Sequence, residues 1–410
     1  MKTNRHILSN GLRLVHYEDK TTQFVAINTL YDVGAKDENP DKTGFAHLFE
    51  HLMFGGTERV SDYDDVIQKA GGENNAWTSN DVTNYYVTLP KQNAEIGFFI
   101  EADRMQGIDF SQTNLDNQKQ VVIEEFKQRN LNQPYGDASA LIRSLAYNVH
   151  PYRWATIGKD ISHIESVTLS DVKQFFQTYY IPSNAILAVT GNIDVEKTIR
   201  LVEKYYAAIP FNTKPKRNLP QEPEQTEARF LEVQRNVPLD AFYRVYKMPD
   251  RKDKNYPCID LLSDILSNGT SARLYQSLVK KQKIATDVNA YIGGDIEPGL
   301  FYVYGKPTNG YTLQDIEKAI DEELEKLTQQ TISDEELKKV KNKFESNKVF
   351  TDMNYLNKAS DLAFHELIDK AENSHAELEK YLSVTKEQIQ QVSTEIFRKE
   401  KSSTLYYKKK

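Results

Sequence analysis

The sequence predicts an α+β protein of two homologous domains, each a mostly antiparallel sheet with helices packed on one face. Three observations predict this class: the length of 410 residues, an internal repeat, and strands and helices that are segregated along each half. A chain of this length exceeds one ordinary domain and can bury two sizeable cores. Segregated strands and helices are typical of α+β layers.

The internal repeat relates the two halves of the chain at an offset of 217 positions. Ser166-Val167-Thr168 opens a segment that returns at Ser383-Val384-Thr385, and the early strand Phe24–Tyr31 has its counterpart in Ala241–Met248. Between the halves, a stretch rich in Pro, Lys, Gln and Glu has no apolar period and is typical of a linker. The predicted divisions are a first domain at 1–212, a linker at 213–227 and a second domain at 228–410.

The elements of the first half follow from local signals. Ser9-Asn10-Gly11 is a hairpin turn signal, and the helix beginning at Phe45 ends at Gly55-Gly56 because glycine favours helix C-termini. The polar pair Asn80-Asp81 predicts a turn between two strands. The predicted strands are Ile7–Leu8, Leu12–Tyr17, Phe24–Asp32, Asn75–Ser79, Asn84–Leu89 and Ala185–Val189, and the predicted helices are Phe45–Phe54, Glu95–Met105 and Asp116–Leu131.

The second half repeats this order of elements. Its distinguishing feature is a pair of long charged helices, Leu313–Leu327 and Asp334–Lys348. A further helix at Lys386–Ile396 leads into the strand Ser403–Tyr407, as the repeat requires.

Composition excludes some classes of function. The net charge of −7 argues against nucleic acid as the main partner, since phosphate binding needs a basic surface. Cys258 is the single cysteine, so no intrachain disulfide can form. No apolar run reaches the roughly 18 residues of a membrane span, and the first residues lack an apolar signal region. We expect a cytoplasmic protein, or a periplasmic one if a leader has been removed.

The strongest functional signal is His47-Leu48-Phe49-Glu50-His51, within a predicted helix. At about 100° per residue, the two histidines and the glutamate fall within one arc of about 100°, and the apolar residues lie opposite. Two imidazoles four residues apart on a helix can reach one metal ion. A chance match to this pattern is expected only about 0.01–0.02 times in such a chain.

Zinc needs a third protein ligand and an open position. The predicted helix Asp116–Leu131 offers Glu125, which projects on its apolar side. A carboxylate on an apolar face is costly unless it is paired or bound to a metal. A salt bridge to Arg129, one turn along the helix, is the alternative. The predicted ligands of one Zn²⁺ per chain are His47, His51 and Glu125.

These residue types predict metal-assisted hydrolysis of a peptide. Zinc lowers the pKa of a bound water toward about 7. Glu50 lies beside the predicted ligands and is not one of them, so it can take the proton and pass it to the leaving amine.

The order His-x-x-Glu-His, with a glutamate 74 positions after the second histidine, resembles the pitrilysin (insulinase) family of inverzincin peptidases. The resemblance implies a zinc metalloendopeptidase that hydrolyses peptides or unfolded segments. It also implies that Asn75, Ala76 and Thr78 lie on an edge strand that binds the substrate backbone, which fits main-chain pairing; for Asn75, a plain turn residue is the alternative. The supporting stretches are Gly44–Gly56, Gly71–Thr78, Glu101–Met105 and Tyr179–Asn184.

Two features depart from the family pattern. Many members carry a second glutamate seven residues before the metal glutamate, where this chain has Gln118, which can hydrogen-bond but carries no charge. In the second half, Val279 and Thr286 stand where active single-chain members carry an Arg and a Tyr that hold substrate. The resemblance therefore implies the metal-bearing subunit of a heterodimer whose homologous partner carries the Arg/Tyr pair, or otherwise a homodimer.

Two other hypotheses stay open. One is a non-catalytic assembly subunit of the same fold, and the other is a peptide-binding module without turnover. The predicted ligands and base favour hydrolysis, because a scaffold has no use for them.

Overall fold

A computed structural model describes residues 3–410 of the chain. It contains two compact units, each built around one sheet. Within residues 3–410, no helix combines the length and the apolar character that crossing a membrane requires. The first unit comprises the described residues up to Phe126, with Trp154–Leu219 and Val349–Ala376, and the second comprises Lys127–Arg153, Pro220–Lys348 and Glu377–Lys410.

The strands of the first unit are β1 (Thr3–Ile7), β2 (Arg13–Glu18), β3 (Phe24–Tyr31), β4 (Glu73–Thr78), β5 (Thr83–Pro90) and β6 (Ala185–Gly191). They form a sheet in the order β1-β2-β6-β3-β5-β4. β2 and β6 pair in parallel, and the other neighbours pair antiparallel. β4 is a terminal strand, and its register pairs Asn75 with Tyr86 of β5.

The strands of the second unit are β7 (Arg229–Arg235), β8 (Ala241–Lys247), β9 (Ala285–Ile292), β10 (Leu300–Pro307) and β11 (Ser402–Lys409). Their order is β7-β11-β8-β10-β9, and β7 and β11 pair in parallel. This order repeats β2-β6-β3-β5-β4 of the first sheet, strand for strand. The predicted fold class, two homologous α+β domains with mostly antiparallel sheets, is confirmed.

The helices are α1 (Phe45–Leu52), α2 (Tyr63–Lys69), α3 (Ala94–Gln106), α4 (Gln112–Phe126), α5 (Ala138–Ala146), α6 (Ile161–Glu165), α7 (Leu169–Tyr179), α8 (Val195–Tyr206), α9 (Tyr256–Ser267), α10 (Leu313–Gln329), α11 (Asp334–Met353), α12 (Tyr355–Ile368), α13 (Asn373–Leu382) and α14 (Lys386–Ile396). The helix predicted at Asp116–Leu131 begins earlier, because the Ser111 hydroxyl accepts from the Asn114 N–H and caps it. Its α-helical part ends at Phe126, and a π-helical turn follows at Lys127–Leu131.

Each unit receives a helix from the opposite half of the sequence. In the first unit, α1, α3, α7 and α8 contribute to a core with Val25 and Ile27, while α12 packs on β3 and β6. There the Ser360 hydroxyl lies 3.1 Å from the Asn28 side-chain oxygen. In the second unit, Ile142 of α5 belongs to a separate cluster with Val245 and Leu405.

Because α5 belongs to the second unit and α12 to the first, the two units do not coincide with the predicted divisions at 1–212, 213–227 and 228–410. Each sheet needs apolar cover on both faces, and helices from its own half cover only one of them. The boundaries themselves stay a prediction of where the two repeats begin and end.

Candidate metal centre

α1 separates its polar and apolar side chains onto different faces. Phe45, Ala46, Leu48, Phe49 and Leu52 are buried, whereas His47, Glu50 and His51 are half-buried. The Phe49 ring lies 4.4 Å from the Tyr180 ring and 5.2 Å from the Phe175 ring, centroid to centroid. This packing fixes the rotation of the helix about its axis and turns its polar face away from the core.

The two imidazoles and the Glu125 carboxylate converge. Nε2 of His47 lies 3.6 Å from Oε2 of Glu125, and Nε2 of His51 lies 3.5 Å from the same oxygen. One donor atom from each of the three side chains lies within 4.8 Å of the other two. Two ligands of a tetrahedral zinc ion, each about 2.1 Å from the metal, are about 3.4 Å apart. The three side chains therefore fit a divalent ion of this size.

The three side chains are also accessible to a small molecule. The exposed fractions are 12% for His47, 24% for His51 and 18% for Glu125. An ion held there would keep an open side, which a catalytic zinc site requires and a closed structural site lacks.

Glu125 reaches the centre from α4, which packs against α1. The apolar side of α4 is narrower than the sequence suggests. Val122 and Leu115 are buried, as expected, but Val121 is 49% exposed. Glu125 lies at the border of the buried face and is half-buried, so its carboxylate is partly desolvated.

Glu50 contacts the edge strand. The hydroxyl of Thr78, at the end of β4, donates to Oε2 of Glu50 at 2.5 Å. Thr78, Ala76 and Asn74 alternate with exposed neighbours, so one face of β4 is turned toward the unit interior. Thr78 therefore contacts Glu50 directly. The predicted substrate-binding role of Thr78 does not include this contact.

Asn75 and Ala76 lie in the middle of β4. Asn75 is exposed, and its side-chain oxygen accepts from the Ala76 N–H at 2.8 Å. Asn75 is a strand residue paired with Tyr86, so the alternative of a turn residue is wrong.

A cleft of about 660 Å³ runs along this strand beside the metal centre. Of the residues singled out in the sequence, Glu50, His51, Asn75 and Gln118 line it. Phe54, Asp64, Gln68, Glu73 and Tyr86 line it as well. No motif marks Asp64, Gln68 and Tyr86, because α2 and β5 bring them to the cleft only through the fold.

Glu38 is a further residue near the site that the sequence pattern does not reveal. It is buried, and its carboxylate accepts from the backbone N–H groups of Gly44 and Ala46 at 3.0 and 2.9 Å, at the start of α1. Burial raises the pKa of Glu38 to about 8, against the opposing effect of these two N–H donors. Glu38 lies six residues before the helix N-cap, outside the spacing of a capping box.

A buried ion pair lies within α3, and its arginine contacts the sheet. Arg104 and Glu101 are each 1% exposed, and Arg104 lies 4.4 Å above the Tyr85 ring. Burial raises the pKa of Tyr85 well above its ordinary value, so this phenol stays neutral. The stretch Glu101–Met105 is therefore buried beside the sheet and does not line the cleft.

In the second unit, Val279 and Thr286, which differ from the family pattern, carry no charged or phenolic group. Val279 is half-buried and packs against the core. Thr286, in β9, is exposed, and its hydroxyl donates to the Lys306 carbonyl oxygen at 3.3 Å.

Fold and site together define a class: a two-repeat α+β protein with a His-x-x-Glu-His helix and a glutamate from a second helix. The chain belongs to the insulinase family. Residues 13–158 match the family model described as insulinase (peptidase family M16). Residues 166–344 match the model described as the peptidase M16 inactive domain.

Individual relatives agree with this assignment. The zinc protease PqqE of Helicobacter pylori is 31% identical over 340 residues, which cover 82% of this chain and 76% of the relative. The crystal structure of a protease from Helicobacter pylori has a TM-score of 0.95 and 28% identity, covering 99% of both chains. A probable mitochondrial-processing peptidase subunit beta of Arabidopsis thaliana is 22% identical, covering 83% of this chain and 65% of the relative.

Proposed function

We propose that this chain is a zinc-dependent metalloendopeptidase that hydrolyses peptides or unfolded segments. One observation carries the proposal: His47, His51 and Glu125 present three ligand atoms to one point, and Glu50 lies on the same face of α1 as the two histidines. The names of the zinc protease relatives support the choice of metal.

In this proposal, His47, His51 and Glu125 hold the ion. A bound zinc ion supplies Lewis-acid polarisation of a carbonyl and a water with a pKa near 7. Glu50 accepts the proton of the attacking water and delivers it to the nitrogen of the leaving amine. The Thr78 hydroxyl orients the Glu50 carboxylate during both transfers.

β4 supplies the surface for the peptide backbone. A terminal strand can accept one more strand, which holds a peptide by main-chain hydrogen bonds and with little dependence on sequence. Asn75 and Ala76 lie at its centre, and Asn75 lines the cleft. Gln118 lines the same cleft and offers hydrogen bonds without charge.

We also propose that the chain is the metal-bearing subunit of a pair. Val279 is an apolar side chain packed against the core and Thr286 bears a small hydroxyl, so neither can bind a peptide as an arginine and a tyrosine would. The name of the Arabidopsis relative describes it as a subunit, which supports a paired arrangement. A homodimer is the alternative.

The Glu50→Gln variant tests the proposed chemistry. The amide keeps the shape of the side chain and cannot take a proton, so zinc should stay at one ion per chain while peptide turnover falls at least about 100-fold. Zinc content and the cleavage rate of a fluorogenic peptide are the measurements. Glu58→Gln, which changes an exposed glutamate outside the cleft, is the matched control and should keep the wild-type rate.

Two results would overturn the proposal. Undiminished turnover in Glu50→Gln would remove Glu50 from the reaction. A wild-type chain that binds zinc and peptide without cleaving it, alone or with a homologous partner, would leave a peptide-binding subunit as the function.

A further inference from the structure

Residues 34–38 form a loop, here called the 34–38 loop, that is fixed to the turn after β4. The Ala35 N–H donates to the Ser79 carbonyl oxygen at 3.1 Å, and the Lys36 N–H donates to the Asn80 carbonyl oxygen at 2.8 Å. A Cβ at Gly34 would lie 2.6 Å from that Asn80 oxygen, so only glycine permits the approach. These contacts hold the loop against the turn.

A buried ion pair reinforces this connection. The Lys36 ammonium lies 2.7 Å from the Asp81 carboxylate, and the side chains are only 3% and 5% exposed. Removing either partner would weaken the electrostatic compensation of a buried charge, which is unfavourable. The 34–38 loop is therefore held firmly against the end of the edge strand.

The other end of the loop, at Glu38, contacts the N-terminus of α1, the helix that carries His47 and His51. The first N–H groups of a helix have no partner within the helix, and at the N-cap of α1 Gly44 has φ +84° and no side chain that could cap it. Glu38 replaces the missing cap, with one carboxylate oxygen on the Gly44 N–H and the other on the Ala46 N–H. His47 follows Ala46 directly.

The loop therefore joins the two halves of the site. One end is bonded to the turn after β4. Thr78, the last residue of β4, contacts Glu50. The other end fixes the first turn of α1, which carries both histidines. A shift of α1 along its axis would change the distance from His47 and His51 to Glu125 and break the Thr78 contact together.

We infer that Glu38 is a positioning residue of the metal centre, which acts through the first turn of α1. The inference rests on the proposed function and deepens it. Glu38 sets where His47 and His51 meet Glu125, and through the 34–38 loop it sets where Glu50 lies relative to the strand that binds substrate.

A matched control separates positioning from general stability. Asn10 is 3% exposed, and its amide donates to the carbonyl oxygens of Tyr206 and Ile209 at 2.8 and 3.0 Å, outside the cleft. Glu38→Gln places an amide NH₂ against backbone N–H groups. Asn10→Asp places a carboxylate against backbone carbonyl groups. Both are isosteric exchanges that oppose like groups in buried positions.

The experiment uses the full chain and three readouts: thermal unfolding, affinity for zinc alone, and the visible absorption of the Co²⁺-substituted protein. Peptide kcat and KM are measured beside them. Both variants should unfold at lower temperature. Only Glu38→Gln should bind zinc about 10–100-fold more weakly, shift the cobalt absorption and lower kcat with little change in KM.

Glu38→Asp keeps the carboxyl group and is too short to reach both N–H groups, so it should give intermediate values. It is the deciding variant if Glu38→Gln does not fold. Wild-type zinc affinity and cobalt absorption in a folded Glu38 variant would overturn the inference. Equal changes in Asn10→Asp, or loss of folding in both Glu38 variants, would assign Glu38 to stability and overturn it too. A wild-type chain that binds zinc but cleaves nothing would refute the peptidase alone, because zinc affinity and cobalt absorption would still test Glu38.

Discussion

At the scale of single residues, carboxylates in both units are held by backbone amides or hydroxyl groups. Glu50 accepts from Thr78, and Glu38 accepts from two N–H groups of α1. Glu222 in the second unit is a third case, with bonds from the N–H groups of residues 148, 149 and 150. Hydrogen bonds to a charged acceptor are stronger than neutral ones, and the lowered pKa of Glu222 keeps its carboxylate charged, so these contacts hold Glu222 firmly in place.

Glu222 leads to a prediction about pH. Partial burial raises its pKa, but the three N–H donors and Lys247 outweigh burial and lower the pKa to about 2. A depressed pKa stabilises the fold above the unfolded value of about 4.5, and this stability is lost as pH falls toward about 2. Glu222→Gln should therefore lower the free energy of unfolding by about 1 kcal/mol at pH 7, and the difference from wild type should shrink between pH 4.5 and pH 3.

Urea unfolding at several pH values measures this difference. Glu224→Gln is the control, since Glu224 is 78% exposed and its change should stay within about 0.5 kcal/mol. A difference for Glu222→Gln that is constant from pH 7 to pH 3 would contradict the assigned role.

Residue-level prediction from the sequence succeeds where covalent geometry fixes the outcome. His47, Glu50 and His51 share a face because the helical period dictates it. Glu125 needs a second helix, and its partly apolar surroundings supply the signal. Glu38 has no such signal, because the fold alone brings it to the N-terminus of α1.

At the scale of elements, the terminal position of β4 determines how a peptide can bind. A strand offers its N–H and C=O groups alternately to its two sides, so an added peptide bonds through every second residue. Glu73, Asn74 and Asn75 of β4 line the cleft together with Glu50 of α1. The affinity for a peptide should therefore depend on which of its backbone N–H groups are free to bond to β4.

Two peptides of one sequence test this, one N-methylated at even positions and the other at odd positions. One pattern removes the N–H groups that face β4 and should weaken binding about tenfold, whereas the other should bind like the unmodified peptide. Fluorescence anisotropy with the Glu50→Gln protein measures binding without cleavage. Equal affinities for both patterns would exclude pairing with the edge strand.

Elements are predictable from the sequence to the extent that their signals are local. Turn residues place the β1–β2 hairpin, and Gly55-Gly56 stops α1 close to its observed end. The early start of α4 depends on the Ser111 cap, which lies outside the apolar pattern. The apolar pattern of α5 or α12 predicts a helix but does not predict which sheet the helix covers, because that depends on distant parts of the chain.

At the scale of the whole molecule, the repeat accounts for two sheets with the same strand order. The two units differ in chemistry, because the predicted ligands and Glu50 all lie in the first unit and Val279 and Thr286 lie in the second.

The isolated chain should therefore hydrolyse peptides slowly, and a homologous chain with an arginine and a tyrosine at the positions of Val279 and Thr286 should raise the rate at least about tenfold. The expected reason is better positioning of the bound peptide. Steady-state rates with and without the partner measure this. Adding the same partner to Glu50→Gln should restore nothing, and full activity of the isolated chain would contradict the paired arrangement.

The central claim is that two imidazoles from α1 and one carboxylate from α4 bind a single zinc ion. Zinc titration of wild type, Glu125→Gln and Glu124→Gln tests it most directly, because Glu124 is the exposed neighbour of the predicted ligand. One ion per chain should bind to wild type and Glu124→Gln, and Glu125→Gln should bind at least about 100-fold more weakly. Equal affinity in Glu125→Gln and wild type would contradict the claim.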